Sequence, residues 1–307
     1  MAKEYEVIII GGGPAGLSAG IYTARARLSS LLIEKTMPGG LITYAEQVEN
    51  YPGFPDGISG LEIGKLMQRQ ASKFGLETVI SEVSSIEING ELRTVKTPNG
   101  DYNTRTVIIA SGSEHTRLGI PGEAEFTGKG VSFCATCDGY FFQEQTVAVV
   151  GGGNAAISEA MSLTKFASKV FVIHRRDELR ATRISQEKAL ANPKIEFRLN
   201  SVVDAIEGDN VVRKLKLRNP SSGETATLEV NGVFIAVGFK PNTDYLKTVL
   251  PLDKAGYVVT NEKMETAVPG IFAAGDVRAN SIRQVVAAAG DGATAVIYAE
   301  RYIRDHH

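Results

Sequence analysis

Three clusters of residues in this 307-residue chain have types and spacings that could do chemistry. Cys134 and Cys137, the only two cysteines, stand in Phe-Cys-Ala-Thr-Cys-Asp-Gly at 133–139. A C-x-x-C spacing suits a reversible disulfide closed over a helical turn, and a helix start lowers the pKa of a thiolate there. Two other readings compete: a pair of buried thiols acting as small apolar groups, or half of a zinc site. The chain has four histidines, two of them the terminal His306 and His307, so few candidates could complete a metal site. Asp138, beside the second cysteine, could hand a proton to a departing thiolate if burial raised its pKa. Its plainer reading is a helix cap or an exposed turn residue.

The other two clusters are glycine-rich turns. Gly11-Gly12-Gly13-Pro14-Ala15-Gly16 satisfies G-x-G-x-x-G. It follows an apolar β-branched run, Glu6 to Ile10, and opens a helix expected from Pro14 to about Arg27. A strand from Ser30 to Ile33 comes next and ends at Glu34. Gly11 permits the tight turn, Gly13 lets a pyrophosphate reach the backbone, and Gly16 lets helix and strand pack closely. The helix start offers N–H groups to phosphate, and Glu34 can accept hydrogen bonds from ribose hydroxyls. The pattern returns as a strand Thr146–Val150, the turn Gly151-Gly152-Gly153-Asn154-Ala155-Ala156, a helix to about Phe166 and a strand Lys169–Ile173 ending at His174. Glu34 lies 18 residues after Gly16, and His174 lies 18 after Ala156. An acid at that place repels a ribose 2′-phosphate, whereas arginines bind it bidentately. The second unit carries His174-Arg175-Arg176, with Arg180 expected one helical turn on. The first unit is therefore predicted to hold a 2′-hydroxyl dinucleotide such as FAD, and the second NADPH. The competing reading is a solvated helix start whose arginines pair with Asp177 and Glu178.

These clusters need a scaffold, and the composition allows one. With 43% hydrophobic and 22% charged residues the chain matches an ordinary globular protein of about two domains. Its 33 basic and 35 acidic side chains give a formal charge of -2, which leaves no bulk attraction to nucleic acid or to a membrane surface. Val7 to Ala24 is uncharged for 18 residues, near the length of a membrane span. Gly11, Gly12, Gly13, Pro14 and Gly16 interrupt it, and Glu4 and Glu6 precede it, so it is expected to be strand, turn and helix. The protein is expected to be cytoplasmic, without membrane or nucleic-acid partners. A helix is predicted over Gly60–Phe74, strands over Leu92–Lys96, Thr106–Ala110 and Gly232–Val237, and a long amphipathic helix from about Arg283 to Ile303. Gly112 to Gly122 and Lys240-Pro241-Asn242 read as linkers. The expected class is α/β, two Rossmann-like dinucleotide-binding domains with the NADPH domain inserted in the FAD domain. Residues 1–114 and 244–307 would form the FAD domain, and 115–243 the NADPH domain carrying the cysteines.

Seven motifs occur in order: Gly-Gly-Gly-Pro-Ala-Gly at 11–16, Glu-Asn-Tyr-Pro-Gly at 49–53, Cys-Ala-Thr-Cys-Asp at 134–138, Gly-Gly-Gly-Asn at 151–154, His-Arg-Arg-Asp at 174–177, Ala-Ala-Gly-Asp at 273–276 and Arg-Gln at 283–284. In these the chain resembles the low-molecular-weight thioredoxin reductases of bacteria and archaea over essentially its whole length. The resemblance implies a homodimeric reductase that passes electrons from NADPH through FAD and a Cys134–Cys137 disulfide to thioredoxin. It implies that Gly11, Gly13, Gly16 and Glu34 hold the FAD adenosine and pyrophosphate. Asn50 would lie near the flavin, Asp276 would bond the ribityl chain, and Arg283 and Gln284 would close over the ring. Pro14, Ala15, Gly40, Ala110, Gly112 and Gly275 complete the FAD set. Gly151, Gly153, Asn154, Ala155, His174, Arg175, Arg176 and Arg180 would contact NADPH. Cys137 would meet the flavin, Cys134 would attack the partner disulfide, and Asp138 would be the acid. A rotation of the nicotinamide domain is also implied. One departure is Gly39-Gly40-Leu41-Ile42, where the family usually has glutamine at the position of Leu41. Rival readings are another redoxin or ferredoxin as acceptor, a reduced deazaflavin as donor, or a non-catalytic FAD redox sensor. The cysteine pair argues against ferredoxin, the arginines against deazaflavin, and the second dinucleotide unit against a sensor.

Overall fold

Apolar strands separated by glycine turns build a mixed sheet with a parallel core in one unit and a parallel sheet in the other. The computed structural model describes residues 3–45 and 47–306, so His307 lies outside the described residues. One unit comprises Met1–Glu114 with Lys240–His307, and the other is His115–Phe239.

In chain order the first unit begins β1 (Lys3–Ile10), α1 (Pro14–Arg25), β2 (Ser30–Glu34), α2 (Gly60–Lys73), β3 (Glu77–Ile80), β4 (Ser85–Asn89), β5 (Leu92–Thr97) and β6 (Gly100–Ile109). Along β1, Val7 and Ile9 enter one apolar cluster while Ile8 and Ile10 enter another. That two-residue period is what a strand buried on both faces must show. The uncharged stretch from Val7 to Ala24 is thus strand, turn and helix, and among the described residues no helix is long and apolar enough to cross a membrane. Helix α2 starts where the Ser59 side chain accepts from the Glu62 amide.

Strand β7 (Ser113–His115) leads into the second unit: β8 (Val131–Ser132), α3 (Ala135–Asp138), β9 (Thr146–Val150), α4 (Asn154–Leu163), β10 (Lys169–Ile173), α5 (Arg183–Leu190), β11 (Ile195–Arg198), β12 (Val202–Gly208), β13 (Val212–Arg218), β14 (Thr225–Glu229) and β15 (Gly232–Ile235). The chain returns through β16 (Phe239–Pro241), then β17 (Ile271–Ala273) and α6 (Val285–His306).

The first sheet runs β3-β2-β1-β6-β5-β4, with β17 beside the end of β6. Strands β1, β2, β3, β6 and β17 are parallel, while β4 and β5 form an antiparallel extension. The second sheet is parallel, in the order β11-β10-β9-β15-β8. Strands β12, β13 and β14 form a separate antiparallel sheet.

Several boundaries differ from the sequence-based expectation. The 112–122 segment is a strand followed by a loop folded on the buried Glu123, whose carboxylate accepts from the Leu118 and Gly119 amides at 3.1 and 2.7 Å. The chain rejoins the first unit at Lys240, before residue 244, because Asn242 bonds to the backbone of Ser111 and Gly112. Helix α6 begins at Val285 because Arg283 has a left-handed backbone, φ 55°. Helices α1 and α4 stop at Arg25 and Leu163, short of Arg27 and Phe166.

Candidate functional site

In the first unit, the turn between β1 and α1 is fixed by Glu34 at the end of β2. Its Oε2 accepts from the Gly12 amide at 2.6 Å and its Oε1 from the Thr36 amide at 2.9 Å. Gly16 is required by packing, since a Cβ there would sit 1.8 Å from the Gly11 carbonyl oxygen. Gly13 is different: the nearest atom to its would-be Cβ is Gly40 Cα, 3.9 Å away. The protein itself leaves this place open at the head of α1, where no side chain caps the helix. Pro14 and Ala15 form the first turn of α1, and Gly40 opens a 3-10 turn, Gly40–Tyr44, that includes the exposed Leu41. Ala110 follows β6 and donates to the Ile10 carbonyl, and the Gly112 carbonyl accepts from the Asn242 amide.

Toward the end of the chain the unit gathers a second set. Asn50 Nδ2 donates to Gln284 Oε1 at 3.3 Å, which joins two predicted flavin residues 234 positions apart. Asp276 accepts from Ser281 Oγ at 2.7 Å, and the same Oγ accepts from the Arg283 amide. Burial raises the Asp276 carboxyl above its usual range, against the pull of Ser281 and Arg283, and the nearby Asp291 raises it further. Arg283 donates to Tyr257 Oη at 3.1 Å. The Gly275 amide donates to Asp291 Oδ2, which also takes the Arg278 guanidinium. Asp291 was not among the sequence candidates, although it lies three residues after Ala288 and four before Ala295, both buried on α6. A carboxyl on an apolar helix stripe was the signal to read.

The second unit repeats the first turn with one exchange. A Cβ on Gly152 would fall 2.3 Å from the His174 ring, as one on Gly12 would meet Glu34. The imidazole thus takes the seat that the acid has in the first unit. His174 is buried, and its Nε2 has no hydrogen-bond partner. Burial first, then the charges of Arg180, Arg176 and Arg175, hold its pKa below the ordinary histidine value. The arginines lie exposed on an irregular segment, so Arg180 is not one helical turn along a helix. The Arg180 and Ala181 amides both donate to the Gly152 carbonyl, and that contact sets the loop. The segment is no helix start, although it is solvent-exposed, and among the described residues no ion pair ties Asp177 or Glu178 to these arginines. Gly151 makes the turn, Asn154 Oδ1 accepts from the Thr182 amide, and Ala155 lies exposed in the first turn of α4. A Cβ on Gly153 would meet nothing within 4 Å. An uncapped helix head, an open glycine, an unpartnered buried imidazole nitrogen and three arginines fit a phosphorylated dinucleotide.

The two glycines give opposite expectations. Gly16→Ala destabilises its unit by about 3 kcal/mol, at the top of the range for overpacking, read as a fall in melting temperature. Gly153→Ala melts like the parent protein but binds NADPH roughly tenfold more weakly, about 1.4 kcal/mol, read by calorimetry.

The cysteines are joined as a disulfide with Cα atoms 5.3 Å apart, which excludes free thiols and a zinc half-site for this state. Among the described residues no group of three metal-ligating side chains exists. Cys134 precedes α3, and its amide donates to Ser132 Oγ at 3.1 Å. Ser132 Oγ donates to Asp138 Oδ2 at 2.6 Å, so the aspartate is tied to the redox turn and makes no side-chain cap. Phe133 stacks on His115 with centroids 4.3 Å apart, which backs the segment before Cys134. A carboxyl oxygen of Glu159 on α4 accepts from the Ala135 amide. Sequence reasoning missed Ser132 and Glu159. Glu159 lies three residues after Ala156 and four before Leu163, again on a buried stripe.

The model of pyridine nucleotide-disulphide oxidoreductases matches residues 5–292. This chain belongs to that family. It is 44% identical over 309 residues to a thioredoxin reductase of Peptoclostridium acidaminophilum, covering 99% of this chain and 98% of the relative. A bifunctional thioredoxin reductase/thioredoxin of Mycobacterium leprae is 46% identical across 98% of this chain and 66% of its own length. The crystal structure of thioredoxin reductase from Streptococcus pyogenes superposes with a TM-score of 0.96 at 43% identity, covering 99% of this chain and all of that one. The family works with FAD and NADPH, so this oxidoreductase is a flavoprotein whose redox centre is the Cys134–Cys137 pair.

Proposed function

We propose that the protein is an NADPH-dependent reductase of thioredoxin, acting as a cytoplasmic homodimer. The observation that carries this is a closed C-x-x-C disulfide in the same unit as a nucleotide turn bearing His174 and three arginines. The Mycobacterium leprae relative, whose name joins a thioredoxin reductase to a thioredoxin, supports that partner. Having no cysteines beyond the redox pair supports a reducing compartment, where disulfides serve catalysis more than structure.

When bound, FAD and NADPH supply hydride transfer and a two-electron source for a disulfide. In the first unit, Gly13 and the head of α1 receive the pyrophosphate, with Pro14 and Ala15 in the first turn and Gly11, Gly16 and Gly40 shaping the walls. Glu34 receives the ribose. Ala110, Gly112, Asn50, Gly275, Asp276, Arg283 and Gln284 orient the remainder. In the second, Gly151, Gly153, Asn154 and Ala155 receive the pyrophosphate, and His174, Arg175, Arg176 and Arg180 receive the phosphorylated ribose. Cys134, as thiolate, attacks one sulfur of the partner disulfide and releases the other as a thiolate. Cys137 then attacks Cys134, releases the second partner sulfur and restores the Cys134–Cys137 bond. The partner gains two electrons and two protons. Asp138 exchanges a proton with the adjacent Cys137 sulfur, and Ser132 holds it in place.

Anaerobic titration followed by turnover with thioredoxin tests the reading. NADPH should reduce the protein far better than NADH, and thioredoxin should be turned over. Turnover with a different redoxin alone would replace the acceptor, and reduction by a deazaflavin alone would replace the donor. Ser132→Ala removes both the hydrogen bond to Asp138 and the acceptor for the Cys134 amide, and should slow thioredoxin reduction by at least roughly tenfold, the scale of a lost hydrogen bond to a charged group. Stopped-flow reduction of the disulfide reads this directly.

A further inference from the structure

The carboxyl of Glu159 has no part in the relay just described. It comes from α4, and one of its oxygens accepts from the Ala135 amide, the amide next in the chain to Cys134. Ala135 is itself buried, so this amide is held by the protein and withheld from solvent. No lysine or arginine forms an ion pair with Glu159 among the described residues. Burial raises its carboxyl above the ordinary glutamate range, the Ala135 amide opposes that, and the charge of Asp138 adds to the rise. A half-buried carboxylate without a cation carries a desolvation cost that one amide hydrogen bond offsets only in part. Tying α4 to the redox turn needs only an acceptor, which glutamine would supply equally. The charge asks for a second explanation.

We propose that Glu159 is a positioning residue of the redox centre whose carboxylate occupies the Ala135 amide and so keeps the Cys134–Cys137 pair strongly reducing. Reduction of the Cys134–Cys137 bond takes up two electrons and two protons and yields two thiols; any proton released leaves a thiolate. A neighbourhood that stabilises thiolate stabilises the reduced pair and makes its disulfide more oxidising. Glu159 acts in the opposite sense twice. It engages an amide that could otherwise donate toward Cys134 sulfur, and it adds negative charge next to the place where thiolate charge would form. Both favour returning the electron pair to a partner disulfide. The proposal rests on the reductase reading only in requiring a reversible Cys134–Cys137 bond.

The test equilibrates FAD-loaded parent protein, Glu159→Gln and Glu159→Ala in dithiothreitol redox buffers at one pH. Free thiols are then counted by alkylation and mass. These are the only two cysteines, so the count reads this pair alone, without NADPH or thioredoxin. Glu159→Gln keeps the acceptor and removes the charge. Its equilibrium should move toward dithiol by about tenfold, which is about 30 mV for this two-electron couple. Glu159→Ala should move the same way. An unchanged midpoint in Glu159→Gln, with a shift only in Glu159→Ala, would reduce Glu159 to a tether and overturn the proposal. If Glu159→Ala does not fold, the glutamine variant decides alone. A parent protein that never forms a reversible disulfide would overturn the redox reading itself, a result the buffers distinguish from any change at Glu159.

Discussion

Cys134→Ser and Cys137→Ser each lower thioredoxin reduction by on the order of 10³-fold or more, because the two sulfurs act as one unit and removal of either stops the relay. Neither substitution touches the nucleotide turns. FAD content, melting temperature and NADPH-dependent bleaching of the flavin should therefore stay close to the parent values. The two variants should differ in what they trap. With Cys137 replaced, Cys134 can still attack but nothing resolves the product, so a mixed disulfide with thioredoxin accumulates. With Cys134 replaced, the remaining thiol is the one assigned to the flavin, and it should trap far less. Non-reducing electrophoresis after incubation with oxidised thioredoxin reads this directly. Equal trapping by both variants would reverse or erase the assignment of Cys134 as the attacking sulfur.

Arg175→Ala combined with Arg176→Ala raises the KM for NADPH by at least about 10²-fold. A hydrogen bond to a charged group contributes about 1.5–3 kcal/mol, and each 1.4 kcal/mol is tenfold in affinity. The KM for NADH, which has no 2′-phosphate, should hardly change, so the preference between the two donors collapses. His174 is buried, and burial first, then the charges of Arg180, Arg176 and Arg175, lower its pKa. The proposed site places the donor preference on the guanidinium groups, whose charge does not titrate in the working range. The double variant's preference for NADPH should therefore be low, measured as the ratio of kcat/KM values for the two donors at one pH. Retained preference for NADPH would move the 2′-phosphate site away from this loop.

Much of this arrangement was legible because it is local in the chain. Strand, glycine turn, helix and closing strand occupy about thirty consecutive residues in each unit, a length within which periodicity and turn chemistry decide the structure. The exchange of Glu34 for His174 could be read by counting, since the two positions lie at the same offset in equivalent units, and both side chains do fill the same seat against Gly12 and Gly152. The C-x-x-C spacing brought its sulfurs within bonding reach for the same local reason. Element ends were less legible. Nothing near Arg283 announces its left-handed backbone, and the loop carrying Arg180 takes its course from a carbonyl 28 residues earlier in the chain.

The sequence by itself determined the two nucleotide turns, the residue closing each, the redox pair and the family to which they belong, because each is encoded by neighbours within a few turns of backbone. Only the tertiary structure decided which side chains reach those turns from elsewhere. Glu159 meets the Ala135 amide across 24 residues, Asp291 meets Gly275 and Arg278 from the last helix, and Asn50 meets Gln284 across 234. Hydrogen bonds depend on ångström distances and direction. A carboxyl on an apolar helix stripe shows that a partner is needed, and only the packing of one helix against another element shows which amide it finds.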